Sequence, residues 1–421
     1  MEQQNRASAM GKTAKQQEAS RCLVAMSDWS LPASSVRRTL TEALRHGLNQ
    51  LRNGRLSADQ LFDQLPDVSP LSGAQQARLA SEPDWDNASL ALAAELHERW
   101  RETPDWQSFS AIVAPPGFGL PEQLSALARR LGWQVIAPPD DLRMTDSQAR
   151  DWWSGVDFTQ PWVIPELSHF WLRHRDGLAL IRQLLDRLAR GSVGAGVFGC
   201  NSWCWSFWSH CLDSLHFSVL TPPALDGEAL AHWLPSLASG KSGAALQIRN
   251  TDTGHWVMPA LAGAKHADRR DTAYLRDLAA MSRGIPAVAL ALWRRALRLA
   301  PEPESGQPDT DQAERLTDAG QGHCDGWVAP LDALTLPQLP PPSPSRAPML
   351  LLHALLLHDG LGEGDLMLVT GLSCSDVSLS LNTLRRFELV TDCPRGWQVS
   401  PLAYPAVRRQ LQSDGFPVDG F

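Results

Sequence analysis

The chain predicts an α/β fold, a parallel sheet with helices on both faces, carrying a helical hairpin and a small C-terminal domain. Three observations predict it. Strand-like and helix-like segments alternate five times between residues 111 and 235, the pattern of parallel strands joined by crossover helices. The apolar run Ala111-Ile-Val-Ala leads through a glycine-bearing turn into a helix with Leu124, Leu127, Ala128 and Leu131 on one face. Beyond a Pro-rich stretch, the last seventy residues read as three short helices and a strand pair.

In chain order, residues 1–20 are polar and read as a disordered tail. A helical N-terminal region follows over 21–84. Leu40, Leu44, Leu48 and Leu51 recur at helical spacing, and Ser57 with Gln60 forms a capping-box pattern at the start of a second helix. A helix over 88–101, capped by Asp86 or Asn87, opens an α/β domain spanning 85–235. Its expected strands lie at 111–114, 133–137, 162–166, 194–201 and 215–220. Helices are expected over 122–131, 144–153, 178–190 and 202–212, and from a cap at Asp226 through Trp233. Residues 236–300 hold a short strand pair (245–249 and 256–258) and two helices, 271–282 and 286–299, the second opening on a proline. The Pro-, Gly- and Asp-rich segment 301–347 reads as a linker. In the C-terminal domain, 348–421, helices 349–357, 363–370 and 376–387 precede strands 389–391 and 396–399, the outline of a winged helix.

The totals narrow the function. With 38 basic and 46 acidic residues the net charge is −8, so no global charge draws the chain to nucleic acid or an anionic membrane. No apolar run reaches the roughly 20 residues of a membrane span. The N-terminus lacks a secretory apolar core, which places the protein in the cytoplasm. Seven scattered cysteines read as reduced thiols. Among the seventeen tryptophans, those at 202–208 read as a packed core or a partner surface.

The element order and four motifs resemble the AAA+ and related STAND ATPases that end in a winged helix, over roughly residues 85–410. The fold this implies is a parallel P-loop NTPase-like sheet with helices on both faces, a helical lid and a C-terminal winged-helix domain. The family's phosphate loop, Gly-Pro-Pro-Gly-x-Gly-Lys-Ser/Thr, stands here as Ala114-Pro115-Pro116-Gly117-Phe118-Gly119-Leu120-Pro121. Pro116, Gly117, Phe118 and Gly119 retain the turn that aims backbone N–H groups at phosphate. Leu120 brings no charge, and Pro121 has neither hydroxyl nor N–H. The family's Asp-Glu pair stands as Pro165-Glu166, so Glu166 is the vestige of a water-activating carboxylate or a strand-end acid. Asn201 matches the polar sensor position and equally fits a helix cap. The lid turn Gly284-Ile285-Pro286-Ala287 carries Ala287 where the family has arginine.

Three of the four motifs have lost their ionic residue. The resemblance therefore implies a pseudo-ATPase acting as a scaffold or regulatory subunit with a protein partner. No cofactor is expected, and ATP with Mg²⁺ enters only if the altered loop still binds. One alternative is a DNA-associated regulator using Arg385, Arg386 and Arg395 of the winged helix, although residues 348–421 carry net charge −3 from five arginines and eight acids. The other alternative is a weak ATPase with a rewired site. A zinc site among Cys200, Cys204, His210 and Cys211 lacks the usual ligand spacing.

Overall fold

The computed structural model describes residues 22–34, 71–102, 109–191, 193–211, 219–238, 246–252, 254–258, 272–298, 326–341 and 345–421. The tail over 1–20, the helices expected over 35–51 and from 56, and residues 301–325 of the expected linker lie outside them. The chain divides into two compact units, one comprising residues 1–30, 84–223 and 337–421, the other 31–83 and 224–336.

The first unit is built on a six-stranded sheet. Its elements are β1 (Val24–Ala25), α1 (Trp85–Glu102), β2 (Phe109–Ala114), α2 (Leu120–Leu131), β3 (Gln134–Val135), α3 (Asp146–Ser154), β4 (Trp162–Ile164), α4 (Ala179–Ala189), β5 (Gly196–Asn201), α5 (Ser202–Cys211) and β6 (Val219–Thr221). The strand order is β1-β6-β2-β5-β4-β3, and β2 to β6 are parallel. The alternation read from the sequence is therefore a mixed α/β unit with a mostly parallel sheet. The glycine-bearing loop leaves its central region, since β2 lies between β6 and β5. Every residue of β2 and β5 is buried, so both strands are apolar on both faces rather than alternating.

Leu92, Leu96, Leu124 and Leu127 of α1 and α2 pack with Ile112, Val163, Val197 and Leu220 on one face. Each such side chain contributes roughly 1.5–3 kcal/mol by leaving water. On the other face, Phe198 meets Trp205 of α5 at 6.3 Å between ring centroids. α1 starts earlier than expected because Asp84, not Asp86 or Asn87, caps it. Its Oδ1 accepts the N–H groups of Asp86 and Asn87 at 3.1 and 3.2 Å.

One strand was not expected. β1 adds to the sheet edge antiparallel to β6, inside the region read as wholly helical. The carboxylate of Glu95 holds it there, accepting the N–H groups of Cys22 and Leu23 at 2.7 and 3.0 Å. A two-residue strand carries too little periodicity to be seen in sequence.

The same unit holds the C-terminal module: α6 (Ala347–His358), α7 (Glu363–Thr370), α8 (Cys374–Arg386), the antiparallel pair β7 (Val390–Cys393) and β8 (Gly396–Val399), and a further helix, α9 (Tyr404–Ser413), absent from the sequence outline. α6 is apolar all round and nearly all buried, as such a helix must be. It ends at Asp359, in the left-handed region with φ 50°. Leu361 then pairs with Trp397 through both backbone groups, at 3.0 and 2.9 Å, widening the hairpin.

The second unit contains helices Gly73–Leu79, Gly227–Ser236, Thr272–Met281 and Pro286–Ala296 and a three-stranded sheet. In that sheet Gly326–Val328 lies between Ile248–Asn250 and Leu297–Arg298. Its central strand comes from the stretch whose composition reads as linker. With Val328 fully buried, the segment is core-forming despite its surroundings. Of the expected strand pair, Trp256 makes only an isolated bridge to Arg249. Helix Gly227–Ser236 groups with this unit rather than with the parallel sheet. Among the described residues no helix is long and apolar enough to cross a membrane.

Candidate functional site

The loop after β2 keeps the backbone curl that its glycines foretell. Gly117 and Gly119 have φ of 82° and 75°, a region that L side chains avoid. Gly119 is the N-cap of α2, and Pro121 sits in its first turn, where a missing N–H is harmless. The curl is closed on itself: Phe118 N–H donates to Pro115 O at 3.2 Å, and Gln123 Nε2 donates to Phe118 O at 3.3 Å.

Two apolar side chains line this loop. Leu120, at the position of a phosphate-binding lysine in the resemblance, is 3 % exposed and belongs to the apolar cluster with Phe118 and Leu124. It packs toward Gly199 of β5, where an added Cβ would come within 3.2 Å of Leu120 Cδ2. The indole of Trp85, at the start of α1, lies directly against Gly119. Sequence reading missed Trp85, because nothing in its local pattern points to a loop thirty-four residues away. Pro116 is half-buried and Gly117 alone is exposed.

At the strand ends beside the loop, Glu166 and Asn201 are brought together, each almost fully buried. One oxygen of Glu166, Oε1, accepts the N–H groups of Ser168 and Asn201, both at 2.9 Å. The carboxylate thus pins the end of β4 to the end of β5. It is neither the surface acid nor the freely placed base that sequence reading weighed. Burial first, and then the nearby charge of Asp359, push its carboxyl above the usual range, with His169 opposing. Burial likewise pushes Glu122 up, with Asp359 adding to the effect.

Asn201 Oδ1 accepts the N–H groups of Trp203 and Cys204, both at 2.9 Å, so the residue caps α5. Its Nδ2 has no partner among the described residues. The same holds for Ser168 Oγ and His358 Nδ1, while His169 Nε2 makes no hydrogen bond there and has only the Asp359 carboxylate nearby. A buried polar atom without a partner costs about 1–3 kcal/mol, so three of them near one seam are unusual in a native interior.

Facing these strand ends is the C-terminal module, and polar groups line the seam. Arg173 donates its backbone N–H to His358 Nε2 at 3.3 Å, and its guanidinium to His353 Nδ1 and Val369 O, both at 3.4 Å. His169 approaches Asp359 at 3.6 Å. Burial, reinforced by Arg173, pushes His353 down to about 4 and His358 to about 3, so both are neutral and able to accept.

A second contact lies along α5. Ser202 Oγ donates to Asp419 Oδ2, which Tyr404 OH also reaches at 3.3 Å. Arg408 binds Asp419 through Oδ1 at 2.8 Å and its carbonyl at 2.7 Å, and Trp203 Nε1 donates to Tyr404 OH at 3.2 Å. Trp203, Trp205 and Trp208 are 2 %, 6 % and 3 % exposed, so the Trp-rich helix is core and not a partner surface. The signal for this packing was legible in α6, apolar on every side apart from His353 and the terminal His358.

Of the three arginines proposed for nucleic acid, Arg385 and Arg386 are exposed at the end of α8 and Arg395 is half-buried. Arg385 pairs with Asp392 at 3.3 Å and lies over Trp397 at 5.6 Å. Arg395 is half-buried and donates to Gly360 O at 3.4 Å, and burial lowers its guanidinium. Arg386 is exposed near the end of α8, whose surface also presents Ser375, Leu379 and Asn382. Among the described residues no group of three or more His, Cys, Asp or Glu side chains is arranged to hold a metal.

No family model and no curated protein matches the chain. Among solved structures it is similar to a RuvB variant of Thermotoga maritima, at 13 % identity, 79 % coverage of this chain and 94 % of that one, with TM-score 0.30. It is also similar to a chain of the Drosophila ORC bound to DNA (14 % identity, 90 % and 92 % coverage, TM-score 0.33). A third is the Aeropyrum pernix ORC2 protein in ADPNP and ADP complexes (13 % identity, 78 % and 93 % coverage, TM-score 0.33). Superpositions of that extent say nothing about activity.

Proposed function

We propose that this chain is an AAA+-type pseudo-ATPase, with a C-terminal winged helix, that serves as a cytoplasmic scaffold or regulatory subunit in a protein complex. The observation that carries the reading is Leu120. At the place where a P-loop lysine would meet phosphate stands a leucine sunk in the apolar cluster, and a cation there would have to leave that cluster to work. Trp85 against Gly119 supports the same reading. So do Glu166 and Asn201, each with a side-chain oxygen at the strand ends that is held by two backbone N–H groups.

The test is titration of the purified protein with a fluorescent ATP analogue and Mg²⁺, alongside a phosphate-release assay. The expected result is neither saturable binding in the micromolar range nor turnover. Micromolar Mg²⁺-dependent binding, with turnover abolished by Glu166→Gln, would establish the weak-ATPase alternative instead. Binding to duplex DNA has less support, because Arg395 is half-buried and bonded within the module, and residues 348–421 carry net negative charge. A salt-dependent duplex shift lost in Arg386→Ala would favour it.

A further inference from the structure

Helix α8 has a finished face and an open one. Val377, Ser380, Leu381 and Leu384 are buried, the i, i+3, i+4, i+7 stripe of an amphipathic helix, whose opposite face is ordinarily polar. Here the middle of that opposite face is apolar. Leu379 is 69 % exposed, more than any other large apolar side chain among the described residues. At 3.6 residues per turn, Ser375, Asp376, Asn382, Thr383 and Arg386 lie within about 60° of Leu379 around the helix axis.

Charge is laid out along this face from one end to the other. Asp376, in the first turn, is an exposed carboxylate whose hydrogen-bond partner is Ser373. Arg386, in the last turn, is exposed, and neither it nor Asn382 makes a side-chain hydrogen bond or ion pair among the described residues. An acid at one end and a cation at the other make the face complementary to itself when it is run backwards. In an antiparallel pair about a two-fold axis through residue 381, Asp376 of each copy meets Arg386 of the other, Leu379 packs beside Thr383, and the helix dipoles oppose. Duplex DNA would meet the same face with a carboxylate beside its one cation, a poorer match of charge.

We propose that the open face of α8 is a self-association surface, on which a second copy of this chain packs its own α8 antiparallel around Leu379. One helix from each copy buries less than the roughly 1,200 Å² of a standard interface, so the dimer forms at micromolar concentrations and not below. The inference is independent of whether the loop after β2 binds nucleotide.

Sedimentation velocity of the full chain, from about 5 to about 500 µM, tests the proposal. The native chain is expected to pass from monomer to dimer over that range. Leu379→Glu should abolish the dimer and leave the melting temperature near native, since the side chain is exposed. Asp376→Arg sets two like-charged pairs across the two-fold axis, and so does Arg386→Glu, so each alone should weaken self-association at least about tenfold. Mixed one to one, these two variants restore both ion pairs, and a heterodimer should form at concentrations where neither variant dimerises alone. A native chain that stays monomeric at the highest concentration would overturn the proposal. So would a dimer untouched by Leu379→Glu, or a mixture that remains monomeric. A duplex-DNA shift lost in Arg386→Glu, from a chain that never dimerises, would give the face to nucleic acid instead.

Discussion

The indole of Trp85 and the α-carbon of Gly119 are in direct contact: a Cβ built on Gly119 would stand 2.1 Å from Trp85 Cη2 and within 2.6 Å of two further ring atoms. Two penalties then fall on Gly119→Ala, a left-handed backbone of about 1–2 kcal/mol and an overpacking cost of about 1–3 kcal/mol. Urea denaturation should show the midpoint falling with an unchanged slope. Gly132→Ala, at φ 68° with open space around its Cβ, should show the backbone penalty alone.

Leu120→Lys tests whether the loop is repairable by a single charge. An ammonium in the apolar cluster is unpaired, so the variant should lose at least about 3 kcal/mol of stability. It should still fail to bind the fluorescent ATP analogue. Leu120→Ala, a cavity at the same place, should lose about 2–5 kcal/mol. Micromolar nucleotide binding by Leu120→Lys would show that the loop had been only one residue from function.

His353 and His358 make the protein acid-sensitive from an unusually high pH. Both have folded values pushed below the ordinary 6.5, to about 4 and about 3. The unfolded chain therefore binds more protons than the folded one below pH 6.5, and stability falls steadily from there toward the folded values. The loss attributable to His353 by pH 4 is on the order of 3 kcal/mol. Melting temperatures between pH 7.5 and 4.5 should decline in the native chain and less steeply in His353→Leu.

Glu166 has the opposite sign. Its folded value is raised, so the buried carboxylate is least costly when protonated, and its penalty grows as pH rises through that value. Glu166→Gln keeps an acceptor for Ser168 and Asn201 while removing the charge. Its stability relative to the native chain should rise between pH 4.5 and pH 7, as read by chemical denaturation at each pH. A difference independent of pH would mean that the carboxylate is not held in a low-dielectric setting.

Where elements are long and rhythmic, the sequence was enough. The alternation of strand and helix, the Gly117–Gly119 turn, the cap at Asp226 and the three-helix outline with its hairpin could all be read from residue spacing. What could not be read depends on distant partners. β1 exists because Glu95, more than seventy residues away, holds it, and Gly326–Val328 is a strand because two other segments flank it. At the candidate site the positions of Glu166 and Asn201 were legible, and so was the cap that Asn201 makes on α5, but not the work of Glu166. Whether an acid at a strand end meets water or backbone N–H groups depends on what lies beside it, and here Asp359, nearly two hundred residues further on, comes close to Glu166.

The edge strand β1 also sets a schedule for synthesis. Residues 24 and 25 are made nearly two hundred residues before their partners in β6, at 220 and 221, and the first unit draws further pieces from beyond residue 337. These residues must therefore wait unpaired while the intervening chain is synthesised, and the unit closes only once the segment beyond 337 has been made. Such long-range pairing folds slowly and leaves apolar surface open meanwhile. During that interval the nascent chain, not the finished protein, has the greatest need of a chaperone.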